Sequence, residues 1–283
     1  MSLVPVCGLS NIFATPMALP LMQDYCACPA ALDLLKQINV PLTIAINSKL
    51  KHSALMLPGY TPDFQLKAAK IKLSDKINEE PLITRLAFEI SNVIEASKLT
   101  SFMRSTRNGD IGMDEYAAEI ELSEINSKKN TYTAQLKCGK HADFEPSVLS
   151  HAMNKLSFEE HLWYQDVECH TDIYRTQWVK EFQKNYCLKN PRDVKSCQTS
   201  LKDLCDIYAL NKMSKVNHLN MIHKRICERF STAPPYFQKQ FDSIIEETCP
   251  EVKQTASVNY TNILLGTATT AIIAFLAAKC FMH

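Results

Sequence analysis

The chain has 283 residues, 46% of them hydrophobic and 22% charged, with 31 Lys and Arg against 30 Asp and Glu. This is globular rather than disordered composition, with length for one large or two small domains. The near-neutral balance, with no dense basic run, excludes the electrostatic footprint of a nucleic-acid binder. Only 6 glycines occur, with no phosphate-cradling loop and no G-x-S-x-G elbow, so helices are favoured and no cofactor is expected.

Residues 1–34 read as an irregular N-terminal arm. Pro5, Pro16 and Pro20 interrupt its apolar stretch, and it lacks the basic start of a secretory leader. A signal read by a specialised secretion machine stays open. Ala30 to Ile38 has helical spacing, and Pro41 to Asn47 alternates like a strand. Residues 48–66, with Pro58, Gly59 and Pro62, read as a loop, and Ala69 to Ser74 as a second strand. From Asn78 to Ala96 the period is helical, with Pro81 in the first turn and Leu82, Ile83, Leu86, Ile90, Val93 and Ile94 on one face. A shorter helix from Leu99 to Thr106 ends at the Asn108-Gly109-Asp110 turn. Asp114 is placed to cap an acidic helix running toward Leu136.

The segment 147–250 is almost wholly helical in pattern. Stripes such as Cys197, Leu201, Leu204, Cys205 and Tyr208, or Leu219, Ile222, Ile226 and Phe230, suggest a small bundle. The expected fold class is therefore α+β, mostly α. It comprises a small α+β unit over residues 35–145, a helical region over 147–250 and a transmembrane helix over 260–282.

That last segment carries no charge from Ile263 to Ala278. As a helix, Tyr260 to Met282 would rise roughly 34 Å, enough to cross a hydrocarbon core. Ile263, Leu264, Leu265, Ile272, Ile273, Phe275 and Leu276 would meet lipid, and Lys279 would snorkel to the headgroups. Gly266, Thr270, Ala274 and Ala278 make small-residue spacings through which a second copy could pack, the basis of a structural, oligomerising reading. Cys280 is a candidate for lipidation. An anchor that emerges last leaves a cytosolic, single-pass, tail-anchored body. Glu246, Glu247 and Glu251 before the anchor and Lys279 after it point mildly the other way.

Cysteine is abundant, at 11. The odd total and the lack of C-x-x-C favour reduced thiols in an intracellular body, with Cys197, Cys205, Cys227 and Cys249 packing as small hydrophobes. The alternative is an oxidised body with bridges between helices.

Only one block hints at chemistry. It orders a strand (Ile71 to Ser74), a helix carrying Leu86-Ala-Phe-Glu89-Ile-Ser-Asn92, a turn at Asn108 to Gly112, and a helix carrying Glu115, Glu119, Glu121 and Glu124. This order, over about residues 71–126, resembles the minimal zinc-peptidase core of gluzincin type, in which one helix bears H-E-x-x-H and a second supplies a glutamate. Two histidines one turn apart hold zinc there, and the glutamate between them polarises a bound water. Here Phe88 and Asn92 stand at the histidine positions, and Glu89 alone matches. The block is also similar to uncharacterised bacterial proteins reading L-x-F-E-x-x-N, some of them toxin- or effector-like.

The resemblance implies a zincin-like scaffold without its metal, with Glu89, Asn92, Glu121 and Glu124 as the remaining candidate ligands or binding residues. A non-catalytic interaction module follows, presenting the helical region to a protein partner at a membrane, a host membrane if the chain is a secreted effector. The alternative is a divergent metal-dependent hydrolase using Glu89. A plainer reading pairs Glu89 with Arg85, four residues earlier, on a solvated face. His161, Glu168 and His170 near Trp163 and Tyr164, His218 with His223, and Cys138 with His141 are weaker groupings, most simply explained as ordinary surface or core residues.

Overall fold

The computed structural model describes residues 3–50, 52–76, 80–139, 144–167, 170–190, 192–193 and 195–200, together with Pro235. The segment 260–282, Cys280, and the stripes beyond residue 200 lie outside the described residues. No helix of the described residues is long and apolar enough to cross a membrane. The chain is α+β and divides into two units: residues 1–112 with 119–156, and residues 113–118 with 157–283.

The first unit is built on a five-stranded mixed sheet. The strands are β1 (Val4–Val6), β2 (Leu9–Ala14), β3 (Leu42–Ile46), β4 (Ala54–Tyr60) and β5 (Leu66–Leu73), in the order β1-β2-β3-β5-β4. β2 pairs parallel with β3, and β3 parallel with β5, while β1 and β4 are antiparallel to their neighbours. The parallel step from β2 to β3 needs a crossover, and α1 (Leu19–Ala27) and α2 (Pro29–Lys36) supply it.

Side chains alternate across a strand, so Ile12 and Ala14, Leu42 and Ile44, and Ala69, Ile71 and Leu73 share the buried face. Between them Lys70 is exposed and Lys72 half-buried, on the opposite face, which they share with Phe13, Thr43, Leu55 and Leu57. Met22 and Tyr25 of α1 and Leu35 of α2 join this core. So do Leu86, Ile90 and Val93 of α3 (Leu82–Ala96). Then come α4 (Thr100–Asn108), α5 (Met113–Cys138) and α6 (Val148–Asn154). Gly109 ends α4 in the left-handed conformation at φ 80°, where a side chain would be strained.

The structure corrects the reading of two chain segments. The segment read as an irregular arm is instead a hairpin, a short 3-10 turn and two helices. Pro16, Pro20 and Pro29 sit in the first positions of their helical turns, where the missing N–H costs nothing. Pro5 lies in edge strand β1. The segment read as a loop over 48–66 contains β4. Its Pro58 is tolerated because β4 is an edge strand, and Gly59 admits a close approach: a Cβ there would sit 3.3 Å from the Ala68 carbonyl oxygen.

The second unit holds α7 (Phe158–Val167) and α8 (His170–Phe182), which runs into a π-helical turn, Gln183–Cys187. Ser157 and Glu160 cap α7 reciprocally: the Ser157 N–H donates to Glu160 Oε2 at 2.8 Å and the Glu160 N–H to Ser157 Oγ at 3.1 Å. Arg175 of α8 gathers Asp114 (2.8 Å), Asp166 (2.7 Å) and Asp172 (2.9 Å). Trp178, Phe182 and Tyr186 stack with successive ring centroids 4.6 Å apart.

Among the described residues the cysteines are bridged, not reduced, while Cys205, Cys227 and Cys249 lie outside them. Cys7 pairs with Cys26, Cys28 with Cys138, and Cys187 with Cys197, at Cα separations of 5.7, 5.6 and 5.9 Å. Cys197 is therefore a bridge residue, not a core thiol. These pairings join segments up to 110 residues apart, and spacing alone cannot foresee them.

Candidate functional site

Helix α3 positions the site. Twelve of its residues are buried, so it is enclosed on nearly every side rather than along one apolar stripe. Leu82, Phe88 and Asn92 are its half-buried positions. Enclosure forces each polar residue of α3 to find a partner, since an unsatisfied buried group costs about 1–3 kcal/mol.

Those partners are local and specific. Arg85 (4% exposed) donates from Nη1 to the carbonyl oxygens of Ser53 at 2.7 Å and Ser74 at 2.9 Å. It thereby joins α3 to the segments flanking β4 and β5. Thr84 accepts from Gln135 Nε2 at 3.2 Å, and the Ser91 and Thr131 hydroxyls meet at 3.4 Å. Lys98 Nζ donates to Glu95 Oε1 at 2.6 Å. Ser127, Thr131 and Gln135 recur every four residues on α5 and are all buried. They make one polar line on that helix, and Thr131 and Gln135 carry the bonds to α3.

Glu89 lies in this seam with 7% of its surface exposed. The reading that placed it with Arg85 on a solvated face is corrected: both are buried. Asn92 Nδ2 donates to Glu89 Oε2 at 3.2 Å. Burial pushes the Glu89 carboxyl up from its ordinary 4.5 to about 7; the Asn92 bond opposes the rise, and the charge of Glu124 adds to it. Glu121 is fully buried, and its carboxylate and that of Glu124 lie within 4.8 Å of each other.

The fold thus brings together Glu89, Asn92 and Glu124, with Glu121 beside Glu124. Chemically this is a buried acid that keeps its proton to near neutral pH, beside a second carboxylate. Phe88 contributes no ligand atom, and Asn92 spends its amide N–H on Glu89. The burial of Glu89 was missed because only one apolar face of its helix was counted. The signal lay in Ala87 and Ser91, small residues off that face, and in the matching Ser127 to Gln135 period on α5.

Cys138 is bridged to Cys28 and offers no thiolate. His161 is buried in α7, and His170 meets the Tyr174 ring edge-on at 5.3 Å. His141, Glu168, His218 and His223 lie outside the described residues.

No protein-family model, curated protein or solved structure matches the chain.

Proposed function

We propose that this chain is a non-catalytic interaction module, held at a membrane by the apolar segment 260–282, whose zincin-like site no longer binds metal. The carrying observation is Glu89. It stands where the glutamate of H-E-x-x-H would stand, yet it is buried and bonded to Asn92, with Phe88 and Asn92 in the histidine positions. A water-activating glutamate needs an ionised carboxylate facing an open coordination position. The order of β5, α3 and α5, with Glu89 and Glu124 within electrostatic reach, supports the scaffold resemblance. The protein partner is assigned to the helical region, and a secreted effector acting on a host membrane is the setting this reading favours.

A second reading has one observation in its favour. A raised Glu89 beside a second carboxylate is the pairing used in acid–base catalysis, so a divergent hydrolase would employ Glu89 as its proton donor.

Two measurements on the full chain separate these. Metal analysis of detergent-purified protein, prepared without chelator, should find no stoichiometric zinc. Stoichiometric zinc, together with a hydrolytic activity that Glu89→Gln abolishes, would favour the hydrolase reading instead. Deleting residues 258–283 should move the body from carbonate-washed membranes to the soluble fraction.

A further inference from the structure

Every cysteine among the described residues belongs to a disulfide. There are six, and the bridges occur in both units: Cys7–Cys26 and Cys28–Cys138 in the first, Cys187–Cys197 in the second. We propose that the body matures by oxidation of these six cysteines and works on the non-cytosolic side of its membrane. This replaces the expectation of a reduced, cytosolic body. The assignment of a side rests on the membrane attachment proposed above; the oxidation does not.

The geometry is that of structural bridges. All three Cα separations, 5.6–5.9 Å, match those of disulfides. Cys28 is 3% exposed and sits among the core residues, where a soluble reductant has little access. Cys26 and Cys28 flank Ala27 at the junction of α1 and α2, and their bridges run different ways. One goes to the turn between β1 and β2, the other to the end of α5. Both are long-range ties, and the cytosolic thiol pool keeps most cysteines reduced, whereas secretory and periplasmic compartments let such ties form and persist.

Formation is thiol–disulfide exchange. One thiolate of a pair attacks the disulfide of an oxidising dithiol protein, giving a mixed disulfide. The second thiolate then displaces that protein as its dithiol. Each bridge passes two electrons to the oxidant, and the two protons lost by its thiols are balanced by the two that the released dithiol takes up.

The test uses the full chain in expressing cells. Cells are quenched in acid and free thiols blocked; the protein is then reduced and its newly exposed thiols counted with a mass-tagged maleimide. At least six of the 11 cysteines should appear only after reduction, and Cys28→Ser with Cys138→Ser should lower that count by two. Protease added to sealed vesicles oriented cytosolic face out should spare the body until detergent is added. Blocking of all 11 thiols before reduction would overturn the proposal, as would digestion of the body in intact vesicles. A bridged body that carbonate releases from the vesicle lumen would refute the anchor alone and uphold the oxidised, non-cytosolic maturation.

Discussion

Replacing Glu89 with glutamine tests the buried carboxyl directly. Glutamine keeps the shape and leaves Asn92 an acceptor, but it removes the ionisation. In the native chain burial pushes the Glu89 carboxyl up from its ordinary 4.5 to about 7. Below pH 4.5 the carboxyl is protonated in folded and unfolded chains alike, and burial costs nothing. Between 4.5 and 7 the unfolded chain releases the proton while the folded chain retains it, so stability falls as pH rises. Above 7 the loss is constant. An interval of about 2.5 pH units at about 1.4 kcal/mol each gives about 3 to 4 kcal/mol. Glu89→Gln should therefore be more stable than the parent by about 3 to 4 kcal/mol at pH 8 and nearly equal to it at pH 4. Urea unfolding at several pH values, with hydrogen exchange along α3 to report the first unit, measures the difference. A variant weakened equally at pH 4 and pH 8, or weakened only at pH 8, would refute the reasoning. The second result would mean that the carboxylate is ionised and engaged by a cation.

Further substitutions probe the rest of the scaffold. Cys28→Ser with Cys138→Ser opens a separation of 110 residues and should cost about 5 kcal/mol by chain entropy, read as a lower urea midpoint of the full chain. Arg85→Met removes the donor to the Ser53 and Ser74 carbonyls. It should cost about 3 kcal/mol and speed hydrogen exchange in β4 and β5. Arg175→Met takes away the cation shared by Asp114, Asp166 and Asp172. It should destabilise the second unit by about 3 kcal/mol, seen as an earlier melt in the fluorescence of Trp163 and Trp178, both in that unit. Ser157→Ala breaks the reciprocal cap of α7 and should cost about 1 kcal/mol in the same melt.

Local chemistry made part of this fold legible. The alternation in Ala69-Lys-Ile-Lys-Leu73 and the period from Leu82 to Ile94 marked β5 and α3, because one-sided burial writes itself into spacing. Gly109 marked the end of α4. Proline misled at both ends of its range. As a generic breaker it hid α1 and the hairpin before it, although a proline in the first helical turn or on an edge strand breaks nothing. Glu89 was found as a candidate, but its environment was not. Burial on the far side of α3 depends on where α5 packs, so Ala87 and Ser91 signal it only when set beside the Ser127 to Gln135 period of α5. The same holds for Cys28 and Cys138, whose meeting is a property of the folded chain.

Pro58 has a consequence for how copies of this protein meet. Because the Ser74 N–H donates to the Ser53 carbonyl, the register turns the backbone groups of Leu55 and Leu57 toward β5 and those of Ala54, Met56 and Pro58 outward. Pro58 has no N–H to offer. A strand arriving on the outer side of β4 from another molecule would lose a hydrogen bond midway and meet a pyrrolidine ring. The sheet is thus guarded on that side against edge-to-edge growth into fibres, a safeguard of value in a chain exposed to its own copies while its sulfurs are still unpaired.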